Sequence, residues 1–267
     1  MTSSPPPPYV AGHNLLAGKT VLITAAAGTG IGFSTARRCV EEGARVIISD
    51  KHERRLAESA AQLTELSAAL ATPGPTVLGI QCDVTSDASV DALVTKAATV
   101  LGGIDIMINN AGLGGTAEVH EMTNDQWSIV LDVTLNGTFR CMRAALNHMY
   151  ERGSGVIVNN ASVLGWRAQA GQAHYAAAKA GVMALTRCAA IEAATRGVRI
   201  NAVSPSIAMH PFLAKVTTDE LLDELTQREA FGRYAEPWEV ANVIVFLASD
   251  YSSYMTGESL SVSSQRA

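Results

Sequence analysis

Seven short runs rich in valine and isoleucine recur along the chain from Lys19 onward, and longer segments with helical spacing lie between them. The runs cover residues 21–24, 45–49, 77–83, 104–109, 156–160, 199–203 and 259–263. They do not alternate between apolar and polar side chains, which is typical of strands that are covered on both faces in a parallel sheet. The helical segments cover residues 31–42, 52–70, 87–101, 125–150, 174–195, 219–230 and 237–249. This alternation predicts an α/β protein with a doubly wound, Rossmann-type sheet, helices on both faces and right-handed crossovers.

The length of 267 residues suits one large α/β domain. We expect residues 15–267 to form this domain, because no linker or internal repeat divides them. Residues 1–14 contain four consecutive prolines, Pro5 to Pro8, and are expected to form a flexible, extended arm. Hydrophobic residues make up 48% of the chain and charged residues 17%, a composition that excludes a disordered protein.

Charge and cysteine usage exclude several classes of partner. The net charge of −5 argues against nucleic acid, since phosphate binding needs a basic surface. No apolar run reaches the roughly 18 residues of a membrane span, and the first residues lack the features of a signal peptide. We therefore expect a cytoplasmic protein without membrane association. None of the four cysteines forms a Cys-x-x-Cys pair, so we expect reduced thiols and no metal site.

A glycine-rich turn follows the first apolar run. Gly28, Gly30 and Gly32 lie between this predicted strand and the next predicted helix. Glycine lets the backbone turn sharply and approach a pyrophosphate closely, and the helix N-terminus offers free N–H groups. The alternative interpretation is a plain tight turn. The acid that ends the second strand, Asp50, favours dinucleotide binding, because it lies about 20 residues beyond the glycines.

The same acid bears on the choice of dinucleotide. The Asp50 carboxylate would accept hydrogen bonds from ribose hydroxyls and repel a 2′-phosphate, so we favour NAD(H) over NADP(H). Lys51, Arg37 and Arg38 keep NADP(H) open, although each is more often a solvated charge. Asp83, at the end of the third predicted strand, would accept from the adenine amino group or else cap a turn.

A second group of residues predicts the reacting end of the site. Tyr175 and Lys179 are four apart in an alanine-rich segment that favours helix, so they share one face. A free tyrosine has a pKa of about 10, and a nearby ammonium favours its phenolate. Ser162 ends the fifth predicted strand, where its hydroxyl would bind a substrate oxygen. Each feature alone is common by chance, but together they predict proton transfer beside a bound dinucleotide.

These residues resemble the short-chain dehydrogenase/reductase family, and the similarity extends from about residue 16 to residue 262. The resemblance implies a seven-stranded parallel sheet and a homotetramer or homodimer built on helices 125–150 and 174–195. It implies that Tyr175 is the catalytic acid or base, that Lys179 binds the nicotinamide ribose and lowers the tyrosine pKa, and that Ser162 positions the carbonyl. With it, the candidate cofactor-binding residues are Thr24, Gly28, Thr29, Gly30, Ile31, Gly32, Asp50, Asp83, Val84, Asn110, Ala111, Gly112, Tyr175, Lys179, Pro205 and Ile207.

Several positions differ from the family pattern. Ala25 stands where the first glycine of the turn is usual, and the turn is one residue longer. Thr134 occupies the place of an asparagine that is a fourth catalytic residue in many members, so Thr134 is our candidate there and the proton relay is in doubt. After Pro205 the usual glycine is Ser206, and His210 replaces a threonine.

Substrate preference is expected in residues 163–174 and 206–231, the second being a lid over the site. An apolar pocket and ordinary packing are about equally expected for Trp166, Leu164, Met209, Phe212 and Leu213. An anionic or phosphate-bearing group would meet Arg167, His174, His210 and Lys215, although a lone His or Lys in a loop is more often solvated. The segment from residue 159 to residue 187 is most similar to actinobacterial family members associated with steroid-ring breakdown as acyl-CoA thioesters.

The sequence therefore predicts an oxidoreductase that interconverts a secondary alcohol and a ketone on a small-molecule substrate, which would be a steroid-derived or other hydrophobic CoA thioester. Two alternatives stay open. One is a 3-oxoacyl thioester reductase of the fatty-acid type. The other is a dinucleotide-binding sensor that has lost activity, which the substitutions at Thr134, Ser206 and His210 would explain.

Overall fold

The computed structural model describes residues 5–70, 77–209 and 219–264, with only the backbone of residues 219–221. Within these residues seven strands form one sheet. They are β1 (Thr20–Ile23), β2 (Arg45–Asp50), β3 (Leu78–Gln81), β4 (Ile106–Asn109), β5 (Gly155–Asn160), β6 (Val198–Pro205) and β7 (Ser259–Val262). Each falls on one of the apolar runs, and the central strands β1 and β4 are buried on both faces and need apolar side chains on both.

Helices connect the strands. They are α1 (Ile31–Glu41), α2 (Glu53–Ala68), α3 (Asp87–Leu101), α4 (Asn124–Leu131), α5 (Gly137–Arg152), α6 (Ala173–Ala194), α7 (Asp219–Gln227) and α8 (Pro237–Ala248). None of the helices in the described ranges is long and apolar enough to cross a membrane.

The strand order is β3-β2-β1-β4-β5-β6-β7, and every pair is parallel. The order reverses between β1 and β4, which pair at Val21 with Ile106 and at Ile23 with Ile108. The chain segments that follow these two strands turn to opposite faces of the sheet. The crevice between them, beyond the carboxyl ends of the strands, is where such sheets bind ligands. The predicted doubly wound fold is confirmed.

Two apolar cores cover the sheet, one on each face. Successive residues of a strand point to opposite faces, so Leu22 packs with α3, α5 and α6, whereas Val21 and Ile23 pack with α1, α2 and α8. Leu22, Val21 and Ile23 are fully buried. The sheet is therefore a rigid support for the loops at its carboxyl edge.

The predicted helix 125–150 contains an irregular turn. Helices α4 and α5 are joined by a π-helical turn at Asp132–Asn136, so the backbone stays helical from residue 124 to residue 152. A π turn inside an α-helix often marks a functional site. Thr134, the residue in the place of the usual asparagine, is in this turn and fully buried.

Residues 9–14 of the expected flexible arm make specific contacts. The Tyr9 hydroxyl donates to Glu41 Oε2 at 2.6 Å, and the Tyr9 ring packs edge-on against Trp238 at 5.3 Å between centroids. Arg38 Nη1 donates to the carbonyl of Val10 at 2.7 Å, and Glu42 Oε2 accepts from the His13 backbone N–H at 2.8 Å. This part of the arm is held against α1 and α8, which the sequence did not indicate.

Candidate active site

The glycine-rich turn lies at the switch point of the sheet. The Ala26 N–H donates to Ser49 O at 3.0 Å, and the Gly28 N–H donates to Ser59 Oγ of α2 at 3.0 Å. Gly28 has a φ of 101°, a conformation that suits glycine. Gly30 precedes α1 without any side-chain cap, and the first turn of α1 contains no acidic residue. The free N–H groups of this helix end are therefore suited to a phosphate.

Gly32 is required by a close approach of two backbone segments. A Cβ atom at this position would lie 2.4 Å from Ala25 O and 2.4 Å from Asn110 Nδ2. Ala25, which replaces the usual glycine, has a φ of 49°. Thr24 binds the next strand end: its Oγ1 accepts from the backbone N–H groups of Asn110 at 3.0 Å and Ala111 at 3.3 Å.

A cavity of about 350 Å³ opens beside the ends of β2 and β3, and its lining includes Lys51, Asp83 and Ser89. Asp50 ends β2 and accepts from the His52 backbone N–H at 3.0 Å. Asp83 Oδ1 accepts from the backbone N–H and the hydroxyl of Thr85, which hold the pKa of this carboxyl below its ordinary value. Asp83 is therefore a turn cap with one oxygen left for a ligand.

Of the three basic residues that left NADP(H) open, two are in ion pairs and one lies at the cavity. Arg37 pairs with Glu41 at 2.9 Å, and Arg38 is buried in an ion pair with Glu42 at 2.5 Å. The interpretation of Arg38 as a solvated charge is wrong, because it holds the N-terminal arm to α1. Lys51 is exposed at the cavity, and Arg55 lies 3.9 Å from Asp50 Oδ1.

Four asparagines at the ends of β4 and β5 form two amide pairs. Asn109 Nδ2 donates to Asn159 Oδ1 at 2.9 Å, and Asn159 Nδ2 donates to Thr186 Oγ1 at 2.9 Å. Asn160 Nδ2 donates to Asn110 Oδ1 at 2.9 Å. The amides thus join neighbouring strands.

The structure brings Ser162, Tyr175 and Lys179 together. Ser162 follows β5, and its Oγ accepts from the Leu164 N–H at 3.2 Å and bonds the Tyr175 phenol. Lys179 Nζ donates to the carbonyl of Asn160 at 2.5 Å and lies 5.5 Å from the centroid of the Tyr175 ring. A Cβ on Gly112 would lie 3.3 Å from Lys179 Nζ, so the ammonium is packed against the loop after β4.

Burial dominates the ionisation of both groups. Burial raises the pKa of Tyr175 to about 12, and the hydrogen bond from Ser162 opposes this shift only in part. Burial lowers the pKa of Lys179 to about 7. The lowering of the tyrosine pKa by Lys179 stays a prediction, because the shift in the protein alone comes from loss of hydration and, in the opposite direction, from the Ser162 hydrogen bond.

Thr134 contacts the backbone rather than the crevice. Its Oγ1 accepts from the Leu113 N–H at 3.0 Å and donates to the Leu113 carbonyl at 3.2 Å. The single O–H donor of the hydroxyl is used in this way. Thr134 thus holds the loop after β4 in place, with Gly112 between it and Lys179.

The loop after β4 also covers the tyrosine. A Cβ on Gly114 would lie 3.9 Å from the Tyr175 ring, and one on Gly115 would lie 3.1 Å from His174 Nε2. His174 is buried, so it does not offer a solvent-facing charge to an anionic group. Its Nδ1 has no partner among the described residues.

The remaining candidates occupy the rim. Trp166 is 53% exposed, and Leu164 and Met209 are partly buried. Val84 is buried at the turn after β3, Pro205 ends β6, and the Ile207 carbonyl accepts from the Ala235 N–H at 2.9 Å. Thr29 is exposed and Ile31 begins α1. Of the expected lid, His210, Phe212, Leu213 and Lys215 lie outside the described residues.

Sequence reasoning missed three contributors to the site. Ser59 fixes the glycine turn, the pair Gly114 and Gly115 forms the wall beside the tyrosine, and Asn160 connects Asn110 to Lys179. Only the Gly-Gly dipeptide carried a local signal, because a loop that packs closely against helices favours glycine.

Comparisons with known proteins agree with this geometry. A family described as enoyl-(acyl carrier protein) reductase matches residues 25–264. A Mycobacterium tuberculosis protein named (5R,7aS)-5-hydroxy-7a-methyl-1-oxo-2,3,5,6,7,7a-hexahydro-1H-indene-carboxyl-CoA reductase is 61% identical over 99% of each chain. The cis-4-hydroxycyclohexanecarboxylate dehydrogenase of Sinomonas cyclohexanicum is 41% identical over 91% of this chain and 94% of its own.

More distant relatives include a 3-oxoacyl-acyl-carrier-protein reductase of Staphylococcus aureus, 34% identical over 91% of this chain and 96% of its own. Among solved structures, a short chain dehydrogenase from Mycobacterium smegmatis superposes with a TM-score of 0.86. It is 58% identical and covers 98% of both chains.

Proposed function

The chain belongs to the short-chain dehydrogenase/reductase family and is an oxidoreductase that uses a nicotinamide dinucleotide, and from this we propose that it reduces a ring ketone of a hydrophobic acyl-CoA thioester to a secondary alcohol. The observation that carries the proposal is the grouping of Ser162, Tyr175 and Lys179 beside the glycine-rich turn. The full-length similarity to a CoA-ester reductase supports the substrate class.

The residues around the switch point fit a dinucleotide. Gly28, Gly30 and the N-terminus of α1 would hold its pyrophosphate, and Asp83 would meet its adenine beside the 350 Å³ cavity. When bound, the nicotinamide supplies the hydride in the reduction. We assign the wall beside it to Asn110, Ala111 and Gly112.

The proton for the new hydroxyl would come from Tyr175. The phenol, whose pKa is raised by burial, holds its proton at neutral pH and would pass it to the ketone oxygen. The Ser162 Oγ accepts from the Leu164 N–H, and its O–H, which bonds the Tyr175 phenol in the protein alone, would turn to the developing oxyanion when a ketone is bound. Lys179, held at the Asn160 carbonyl, keeps a further N–H donor for the ribose hydroxyls.

We propose NAD(H) as the preferred dinucleotide. Asp50 lies at the end of β2 with one oxygen bound to the His52 N–H, and its negative charge would repel a 2′-phosphate. Arg55, at 3.9 Å, is the basic residue that would oppose this preference. Parallel fluorescence titrations with NADH and NADPH test the proposal, and tighter binding of NADPH would overturn it.

The substrate class is tested by a panel of ketones. We expect faster reduction of a bicyclic keto CoA thioester than of a linear 3-oxoacyl thioester, followed by the loss of NADH absorbance. Faster turnover of the linear thioester would support the fatty-acid alternative. Tight dinucleotide binding without turnover of any ketone or alcohol would favour a sensor and refute the proposal.

We also propose a homotetramer or homodimer built on α4, α5 and α6. Trp127, Ile129 and Phe139 on the first two helices are 41–47% exposed, and Ile191 on α6 is 77% exposed. Apolar side chains at this exposure on neighbouring helices are typical of an interface. Light scattering coupled to gel filtration measures the mass, and a monomer at micromolar concentration would refute the assembly.

A further inference from the structure

Asn160 lies in the middle of a chain of hydrogen bonds that joins the glycine-rich turn to Lys179. Asn110 Nδ2 donates to the carbonyl of Ala25 at 2.9 Å, and Asn160 Nδ2 donates to Asn110 Oδ1 at 2.9 Å. Lys179 Nζ donates to the carbonyl of Asn160 at 2.5 Å. The two ends of the site are thereby connected through two amide side chains.

The direction of this chain is fixed by its first member. A backbone carbonyl can only accept, so the Asn110 amide must turn its Nδ2 toward Ala25 and its Oδ1 toward Asn160. Asn160 must then donate through its own Nδ2, which leaves its Oδ1 on the opposite side. That oxygen is buried and has no partner among the described residues.

The end of β4 explains why the Asn160 carbonyl reaches the lysine. The Ala161 N–H donates to Val203 O of β6 at 2.8 Å, and in a planar trans peptide the Asn160 carbonyl points the opposite way, toward the β4 side. Strand β4 pairs with β5 only as far as Asn109 and Asn159. The carbonyl of Asn160 therefore has no strand partner there, and the lysine occupies the position beyond the end of β4.

Lys179 depends on this carbonyl. The side chain is 2% exposed and is packed against the place where a Cβ on Gly112 would lie. A buried amine is stabilised only by the acceptors that the fold provides. The orientation of the Asn160 peptide therefore sets where the amine is held relative to Tyr175.

We propose that Asn160 is a positioning residue: its carbonyl holds Lys179, and its side-chain amide, bonded to Asn110, ties this peptide to the glycine-rich turn. The inference rests on the proposed function in one respect, namely that Lys179 acts at the reacting end. It adds that the glycine turn and the lysine are coupled through Asn110 and Asn160. Removing either amide should therefore weaken dinucleotide binding at the turn and lower kcat at the lysine.

The test uses Asn160→Leu, which keeps the branched shape and the backbone carbonyl but removes the amide that ties this peptide to Asn110, together with Asn110→Ala and the double variant. We expect Asn160→Leu to lower kcat and to raise the NADH dissociation constant, each by about tenfold, the scale of one hydrogen bond to a charged or buried group. The KM for the ketone should stay within about twofold, because neither amide faces the substrate rim. The double variant should lose no more kcat and NADH affinity than the more impaired single variant, because both substitutions break the same chain of hydrogen bonds.

Asn242→Ala is the matched control. Asn242 on α8 also has a buried, unpaired Oδ1 but belongs to no contact of the site, so its NADH dissociation constant and kcat should not change. Thermal melting shows whether each variant folds. If Asn160→Leu does not fold, Asn110→Ala alone must reproduce the weaker NADH binding and the lower kcat.

Two results would overturn the inference. One is unchanged NADH binding and kcat in folded Asn160→Leu, and the other is a double variant whose loss is the sum of the single losses. The NADH titration needs no turnover, so it separates this inference from the proposed function: absence of any reductase activity would leave the predicted coupling in binding intact.

Discussion

Replacing Lys179 by methionine should make the dinucleotide-free protein more stable at neutral pH and abolish its turnover. Lys179 is 2% exposed, and burial lowers its pKa to about 7 from an ordinary value of 10.5. Between these two values the unfolded chain holds one more proton than the native protein. The free energy of unfolding therefore rises with pH through this window, and the lysine costs most stability below pH 7.

The cost follows from the two pKa values. A difference of about 3.5 units (10.5 − 7) corresponds to roughly 4 to 5 kcal/mol at pH 7 and to about 1 kcal/mol or less at pH 10. Methionine has similar length and no charge, but it leaves the Asn160 carbonyl without its donor, which costs about 1 to 2 kcal/mol. We therefore expect Lys179→Met to gain about 3 kcal/mol at pH 7 and to gain nothing at pH 10.

Urea denaturation followed by tryptophan fluorescence, at pH 7 and at pH 10, measures the difference. Lys96→Met is the matched control, because Lys96 is exposed on α3, and its effect should be small at both pH values. A Lys179→Met variant that is less stable than the wild type at pH 7, or whose effect does not depend on pH, would refute the idea that burial suppresses the charge of this lysine.

Three further variants test separate parts of the structure. Tyr175→Phe should lower kcat by about 10²- to 10⁴-fold and leave the NADH dissociation constant within about twofold, since the ring is kept and only the acid is lost; undiminished turnover would remove Tyr175 from the mechanism. Thr134→Val should raise the KM for the ketone and lower stability by about 1 to 3 kcal/mol, because the backbone groups of Leu113 lose both partners; an unchanged KM and melting temperature would contradict this. Glu42→Ala should destabilise the protein by about 3 kcal/mol in urea, because the buried Arg38 then keeps only its pair with Glu41 and the His13 N–H loses its acceptor; a loss below about 1 kcal/mol would show that this ion pair contributes little.

The sequence predicted the elements with local signals. All seven apolar runs are strands and all seven helical segments are helical, with ends that differ by a few residues. The run of residues 156–160 starts one residue later than β5, and residues 199–203 cover only the middle of β6. These ends depend on pairing with neighbouring strands, which local composition does not encode.

What the sequence did not predict depends on contacts between distant residues. The π turn at Thr134 is not distinguishable from an α-helix by apolar spacing, and its hydroxyl finds Leu113 only in the folded chain. The docking of Tyr9 requires α1 and α8 to be adjacent. The desolvation that raises the Tyr175 pKa is likewise a property of the folded chain, because the charged neighbour is visible in the sequence whereas the loss of hydration is not.

A buried lysine that lowers the free energy of unfolding by several kcal/mol would become exposed to water if its helix could move away from the sheet. A domain is stable by only about 5 to 15 kcal/mol, so such a strained group needs support nearby. Helix α6 has this support two turns beyond Lys179, where Thr186 accepts from the Asn159 amide, which in turn binds Asn109 of β4. Residues 179 and 186 are seven apart and therefore share one face of the helix. The amide pair thus holds this face of α6 against the sheet, and the fold keeps the amine beside the tyrosine where stability alone would expel it.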